Sequence, residues 1–179
     1  MLFKESDFLK KIEKIVALEK ITLVRDLPNK IMINIQEKKP ALVWISADKF
    51  YYLDKNGIAI REVNFFSIDP YLPIIHNQAQ ESLEISQIII NQARLNFILS
   101  LVAKMPQDVK ITSIEASGQK LETLSVKFQE GWQAIFDPTQ PLQIQLNNLS
   151  LALKNKTPEA RKKIDYFDLR FPDRIYYKE

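Results

Sequence analysis

Apolar and polar positions change period several times along the chain, and each change marks an element. Phe8, Leu9, Ile12, Ile15 and Val16 recur at helical spacing, with Lys10, Lys11, Glu13 and Lys14 on the opposite face, and Ser6-Asp7 can cap this short helix. From Ile21 the period drops to two. Ile21 and Leu23 lead into Asp26-Leu27-Pro28-Asn29, and Ile31, Ile33 and Ile35 then alternate with Met32, Asn34 and Gln36. The pattern predicts a strand, a turn in which Pro28 fixes φ, and a second strand. Lys38-Lys39-Pro40 ends that strand, and Ala41 to Ser46, with Trp44, forms a further apolar run. Lys49 to Leu53 and Ile58 to Ile60 flank Asp54-Lys55-Asn56-Gly57, where Asn-Gly supplies the positive-φ residues of a hairpin. Asn64 to Asn77, interrupted by Pro70 and Pro73, reads as an irregular connection.

A helix is predicted from about Glu81 to Met105, with Ile90, Ala93, Phe97, Leu101 and Met105 on its buried face. Lys110 to Glu115, Leu121 to Gln129 and Trp132 to Phe136 are strand-like runs separated by Ser117-Gly118 and Glu130-Gly131, which predicts an antiparallel meander. Leu142, Leu146, Leu149 and Leu153 predict a helix from about Pro141. Thr157-Pro158-Glu159 starts another short one, with Thr as cap and Pro at the first helical position. Lys163 to Phe171 and Arg174 to Lys178 close the chain as a hairpin-like pair of strands.

The composition narrows the chemistry. At 179 residues, 46% hydrophobic and 26% charged, the chain has the make-up of a folded protein of one or two small domains. No cysteine is present, which removes thiol catalysis, zinc ribbons, iron–sulfur ligation and disulfides together. Gly57, Gly118 and Gly131 are the only glycines, too few and too scattered for a phosphate-cradling loop. His76 is the single histidine, so no histidine-based triad or multi-histidine metal site can form within one chain, and it reads as a surface or capping residue. No cofactor is expected.

Carboxylates offer no catalytic pair either. Asp165 and Asp168 fall on opposite faces of their strand, and Glu81 and Glu84 are explained by the start of the predicted helix. Asp54 and Asn56 lack the further oxygens that calcium needs. Trp44 and Trp132 read as packing residues. The net charge is +3. Residues 1–153 carry 17 basic and 17 acidic groups, and residues 154–179 carry 8 and 5. That modest excess, interspersed with acids, is too small for a convincing nucleic-acid footprint. Ile85 to Met105, the most apolar stretch, is interrupted by Gln87, Asn91, Gln92, Arg94, Asn96, Ser100 and Lys104, so it does not read as a membrane span. Nor does Lys4 to Lys11 read as a signal peptide.

Period two in the closing segment puts Ile164, Tyr166, Asp168 and Arg170 on one face, and Phe167, Leu169 and Phe171 on the core face. A strand so near the chain end is expected to be a sheet edge, open to strand addition by a partner.

Two segments resemble the FtsQ/DivIB cell-division family. The first runs from Val24-Arg25-Asp26-Leu27-Pro28-Asn29-Lys30-Ile31 through Glu37-Lys38-Lys39-Pro40-Ala41 and Trp44 to Tyr52-Leu53-Asp54-Lys55-Asn56-Gly57. The second is Ile164-Asp165-Tyr166-Phe167-Asp168-Leu169-Arg170-Phe171-Pro172-Asp173-Arg174-Ile175-Tyr176-Tyr177-Lys178. The resemblance implies an α+β fold: a partial POTRA domain over 1–44, then a mainly antiparallel β-sheet domain over 45–179 with helices packed on one face. A membrane anchor, and the strand and helix that open a POTRA domain, would precede Phe8. Neither is visible in these residues, so the resemblance implies an N-terminally incomplete member. It further implies a non-catalytic divisome scaffold, held at the cell membrane by a single span with this region extracytoplasmic, that binds FtsB/DivIC-like and FtsL-like partners during septum formation. Tyr166, Asp168, Arg170, Arg174, Tyr176 and Tyr177 are then the expected partner-binding residues. The competing readings are that the tyrosines merely cover the sheet while Asp168 and Arg170 form a surface pair, or that the chain is another POTRA-type module serving membrane or secretion assembly.

Overall fold

A computed structural model describes residues 17–26, 30–79, 81–118 and 121–179. The chain divides into two compact units, Met1–Pro40 and Ala41–Glu179. In the first, β1 (Leu18–Asp26) pairs antiparallel with β2 (Lys30–Glu37), and Ile21 faces Ile35 while Leu23 faces Ile33, as the alternation predicts. Every residue of β2 is exposed. The predicted Phe8–Val16 helix and the Leu27–Asn29 turn lie outside the described residues.

The second unit is built on one nine-stranded sheet. Its strands are β3 (Pro40–Ser46), β4 (Lys49–Asp54), β5 (Ala59–Val63), β6 (Ile74–Asn77), β7 (Ile111–Ser117), β8 (Thr123–Phe128), β9 (Gln133–Phe136), β10 (Tyr166–Asp168) and β11 (Tyr176–Lys178). Their spatial order is β11-β10-β9-β8-β7-β6-β3-β4-β5. The predicted meander appears as β7, β8 and β9 in antiparallel register. The order also contains three parallel pairings, β3 with β6, β6 with β7, and β9 with β10. Parallel neighbours need crossover connections. Here α1 (Gln92–Lys104) lies between β6 and β7, and α2 (Leu142–Asn155) with α3 (Pro158–Arg161) lies between β9 and β10.

Both long helices cover the same face. Following the strand register, Trp44, Ile75, Ile114, Val126, Ala134 and Phe167 form a continuous row across six strands, all buried. They share one core cluster with Leu95, Ile98 and Leu101 of α1 and Leu146, Leu149 and Leu153 of α2. Each such side chain contributes roughly 1.5–3 kcal/mol by leaving water, and that burial orients the helices. Gln145 secures α2 to the end of β9: its Oε1 accepts the Asp137 N–H at 2.8 Å, and its Nε2 donates to the Asp137 carbonyl at 2.9 Å.

Two expectations are corrected. Residues 64–77 are not wholly irregular, because Ile74–Asn77 forms a strand inside the sheet, between β3 and β7. A four-residue strand paired in parallel on both sides has too little length to show a period, and the preceding Pro70 and Pro73 disguise it. His76 on this strand is exposed. The predicted helix from Glu81 starts only at Gln92, where the Asn91 side chain accepts the Arg94 N–H at 2.9 Å. Residues ahead of it are held instead by the β4–β5 hairpin: Ser86 N–H donates to the Ala59 carbonyl, Ala59 N–H to that of Gln87, and Ile89 N–H to that of Gly57. The β-branched run Ile88-Ile89-Ile90 favours this extended path. Glu81 and Glu84 therefore do not sit at a helix start, and Ala93, expected in the core, is exposed.

The Asp54–Gly57 hairpin turn forms, with Gly57 at φ +76°, but Asn56, expected at positive φ as well, does not adopt it. A Cβ on Gly57 would stand 2.0 Å from the Ile90 carbonyl oxygen, whereas one on Gly131, at φ +102°, would meet nothing within 4 Å. Gly131→Ala is expected to cost about 1–2 kcal/mol from backbone strain alone. Gly57→Ala adds a backbone collision, so its loss is expected to be at least about twice as large. Urea unfolding of the two variants side by side measures the difference.

Candidate functional site

The two ends of the large sheet are chemically different. At the β5 end, Gly57 to Ala59 are already bonded to residues 86–89, and Glu62 is paired with Lys49 at 3.0 Å. Charge and partial covering are how natural sheets blunt an edge. At the other end β11 is outermost, and among the described residues no strand lies beyond it.

β10 runs parallel to β9, with Tyr166 opposite Gln133 and Asp168 opposite Ile135, and β11 runs antiparallel to β10, with Tyr166 opposite Lys178 and Asp168 opposite Tyr176. Period two holds only for these short strands. Phe167 and Leu169 are buried as predicted, Asp168 is buried although expected on the outer face, and Ile164, expected on that face too, is buried as well. It belongs to a turn leaving α3, with its N–H donating to the Arg161 carbonyl at 3.0 Å, so strand alternation does not reach it. Phe171, expected in the core, is 41% exposed. The strand stops at Asp168, and Phe171 instead meets the Tyr176 ring edge-on at 5.1 Å.

The six expected partner-binding residues come together here in three settings. Asp168 is buried, and its carboxylate accepts from the Arg170 backbone N–H at 3.2 Å, from Arg170 Nε at 2.8 Å and from Nη2 at 2.6 Å. This pair is therefore anchored in the fold, and the hydrogen bond to Asp168 pushes the Arg170 guanidinium pKa up. Tyr177 projects to the helix side, beside Phe167, with Lys156 Nζ 4.3 Å from its ring centroid. Tyr166 and Tyr176 lie on the opposite side with Lys178, by register. Arg174 donates to both Asp173 oxygens and, through Nη1, to the Tyr176 hydroxyl at 3.4 Å.

Tyr166 and Lys178 share a shallow groove of roughly 360 Å³ with Lys127, Gly131, Gln133 and Asp165. Lys178 Nζ donates to Asp165 Oδ2 at 2.9 Å. The surface thus offers aromatic rings, paired charges and an edge strand. Among the described residues no three metal-ligating side chains come together. A second cavity, of roughly 190 Å³, lies on the helix side and is lined by Trp44, Asn77, Glu81, Gln87 and Leu121; the buried Trp44 Nε1 has no hydrogen-bond partner among the described residues.

Reasoning from the sequence missed Lys156, which sits at the C-terminal cap of α2 and donates to Glu179 at 3.3 Å. It also missed the pair between buried Arg161 and half-buried Glu130. Residues 31 positions apart carry no local signal of contact.

Two outcomes are expected. Arg170→Ala strands a buried carboxylate, whereas Asp168→Ala frees a guanidinium side chain that is 39% exposed and can turn to water. Urea unfolding at neutral pH should therefore show about 2–3 kcal/mol lost for Arg170→Ala and about 1 kcal/mol for Asp168→Ala. The hydrogen bonds from Lys156 to Glu179 and from Lys178 to Asp165 raise both ammonium pKa values above 10.5. Such ties act in full below the unfolded value and fade as pH climbs through the raised one. An NMR titration of the lysine side chains should show these two deprotonating at higher pH than a lysine of ordinary value.

No curated protein sequence matches the chain significantly. A family model, described as cell division protein FtsQ/DivIB, C-terminal, matches residues 42–170, which is most of the chain.

Proposed function

The chain belongs to the FtsQ/DivIB family of cell-division proteins, and from that premise we propose that it is a non-catalytic scaffold of the septum-forming machinery whose β11 edge takes a strand from FtsB/DivIC-like and FtsL-like partners. A role in cell division follows from the family itself. The observation that carries the finer reading is the outer side of Tyr176–Lys178, beyond which no strand lies among the described residues. An added strand would satisfy the edge backbone groups, and Tyr166, Arg174 and Tyr176 would select its side chains. Tyr and Arg suit that work because each joins a large contact area to a polar tip. Asp168, Arg170 and Tyr177 act one step back, holding the edge in place.

The reading puts this region on the extracytoplasmic side of a membrane, since the family is membrane-anchored. Among the described residues no helix is long and apolar enough to cross one.

The test is a titration of the purified chain with co-expressed extracytoplasmic segments of the two partners, beside a Tyr166→Lys, Tyr176→Lys double variant shown by circular dichroism to be folded. Saturable binding is expected for the parent, with at least about a hundredfold loss in the variant, the scale of two hot-spot truncations. Equal binding by both proteins would move the docking site away from β11.

A further inference from the structure

The edge strand is held to the rest of the sheet by little. β10 has three residues, β11 has three, and the pairing of β10 with β9 is parallel, the weaker kind. Whatever sets the position of β10 therefore sets that of β11 as well.

The structure contains a device suited to that. Arg161, the last residue of α3, is 5% exposed, and its Nε and Nη2 donate to Glu130 Oε2 and Oε1 at 2.8 and 2.9 Å. Glu130 lies in the turn between β8 and β9, and its Oε2 also accepts Trp132 Nε1–H at 2.9 Å. Trp132 is fully buried, stacked on Phe128 at 4.1 Å and meeting Phe167 edge-on at 5.4 Å. Phe167 is the middle residue of β10 and faces Tyr177 of β11 in register. An unbroken path of side chains thus leads from α3 through one carboxylate and one indole to the docking edge.

A bidentate guanidinium–carboxylate pair fixes orientation as well as distance, because both groups are planar and meet fork to fork. Only residues 162–165 separate Arg161 from β10, so clamping the end of α3 also determines where β10 can begin. Taking the guanidinium out of water has a desolvation cost that its hydrogen bonds to the partly exposed Glu130 carboxylate offset without a large net gain. An apolar pair would stabilise the fold as well, so what the ionic pair adds is direction.

We propose that Arg161 and Glu130 are positioning residues for the docking edge: acting through Trp132 and Phe167, they set the register and order of β10 and β11 without touching the partner. The inference rests on the docking reading above only in its binding arm.

The experiment uses Glu130→Gln, which keeps the volume and an acceptor for Trp132, and Arg161→Lys, which keeps the charge and loses the fork. Hydrogen exchange is followed by segment in the full chain, beside the partner titration. Exchange over residues 165–178 is expected to rise about tenfold or more in both variants while β7, β8 and α1 keep the parent rates. Partner affinity should fall by a similar factor, and the double variant should be no worse than the poorer single one, as for groups acting as one unit. A uniform rise over the whole sheet would make the pair a general stabiliser and overturn the proposal, as would unchanged exchange at 165–178. If Glu130→Gln fails to fold, Arg161→Lys alone carries the same comparison. The expected exchange pattern in a chain whose parent binds no partner would uphold the positioning role and refute only the docking reading.

Discussion

Burial of a single face of the nine-stranded sheet constrains nearly everything else in the second unit. The row from Trp44 to Phe167 crosses six strands, and a slip of one residue in any of them would turn its apolar side chains to the wrong face. Two helices must lie over that row to keep it from water. Since α1 and α2 with α3 occupy the connections β6–β7 and β9–β10, those strand pairs become parallel, while the short turns elsewhere keep their neighbours antiparallel. Two of the three parallel pairs thus follow from where the apolar helices fall in the chain, and the third, β3 with β6, is made across the intervening β4 and β5.

The same constraint creates the edge. An open sheet has two ends, and each has unpaired backbone groups to manage. At β5 the chain manages them itself, because residues 86–89 bond along Gly57–Ala59 before α1 begins. At β11 no further strand is paired among the described residues, and the aromatic side chains there are divided by strand alternation. Tyr177 goes to the helix side against Phe167 and Lys156, and Tyr176 to the other, against Phe171 and within reach of Arg174. One strand of three residues therefore has an anchoring side and a presenting side. Proteins that act by assembly need such a division, because a docking edge free to fray would lose affinity to the ordering it must undergo.

How much could be read in advance depended on the range of the interaction. The alternation in β1 and β2, the Asn56-Gly57 hairpin, the meander of β7 to β9, the Leu146–Leu149–Leu153 stripe and the Thr157-Pro158 helix start are all local patterns, and all appear where the residues predict them. So do the closing strands, although they are shorter than their alternation suggests. The resemblance to a division family rested on such local runs, which is why the family match over residues 42–170 agrees with it. The failures are of another kind. Ile74–Asn77 is too short to display a period, and the segment before α1 has helical spacing but is claimed by hydrogen bonds to a hairpin some thirty residues earlier.

The sequence by itself determined which residues are apolar, which turns could form, and that no thiol, multi-histidine or glycine-loop chemistry is available, because these follow from residue type and near-neighbour spacing. Only the tertiary structure decided that β11 is the open end, that Asp168 is buried beneath Arg170, and that Arg161 reaches Glu130, which in turn holds Trp132, across some thirty residues of chain. Strand order and charge pairing are settled by which surfaces can be buried together. That competition is global, and no window along the chain records it.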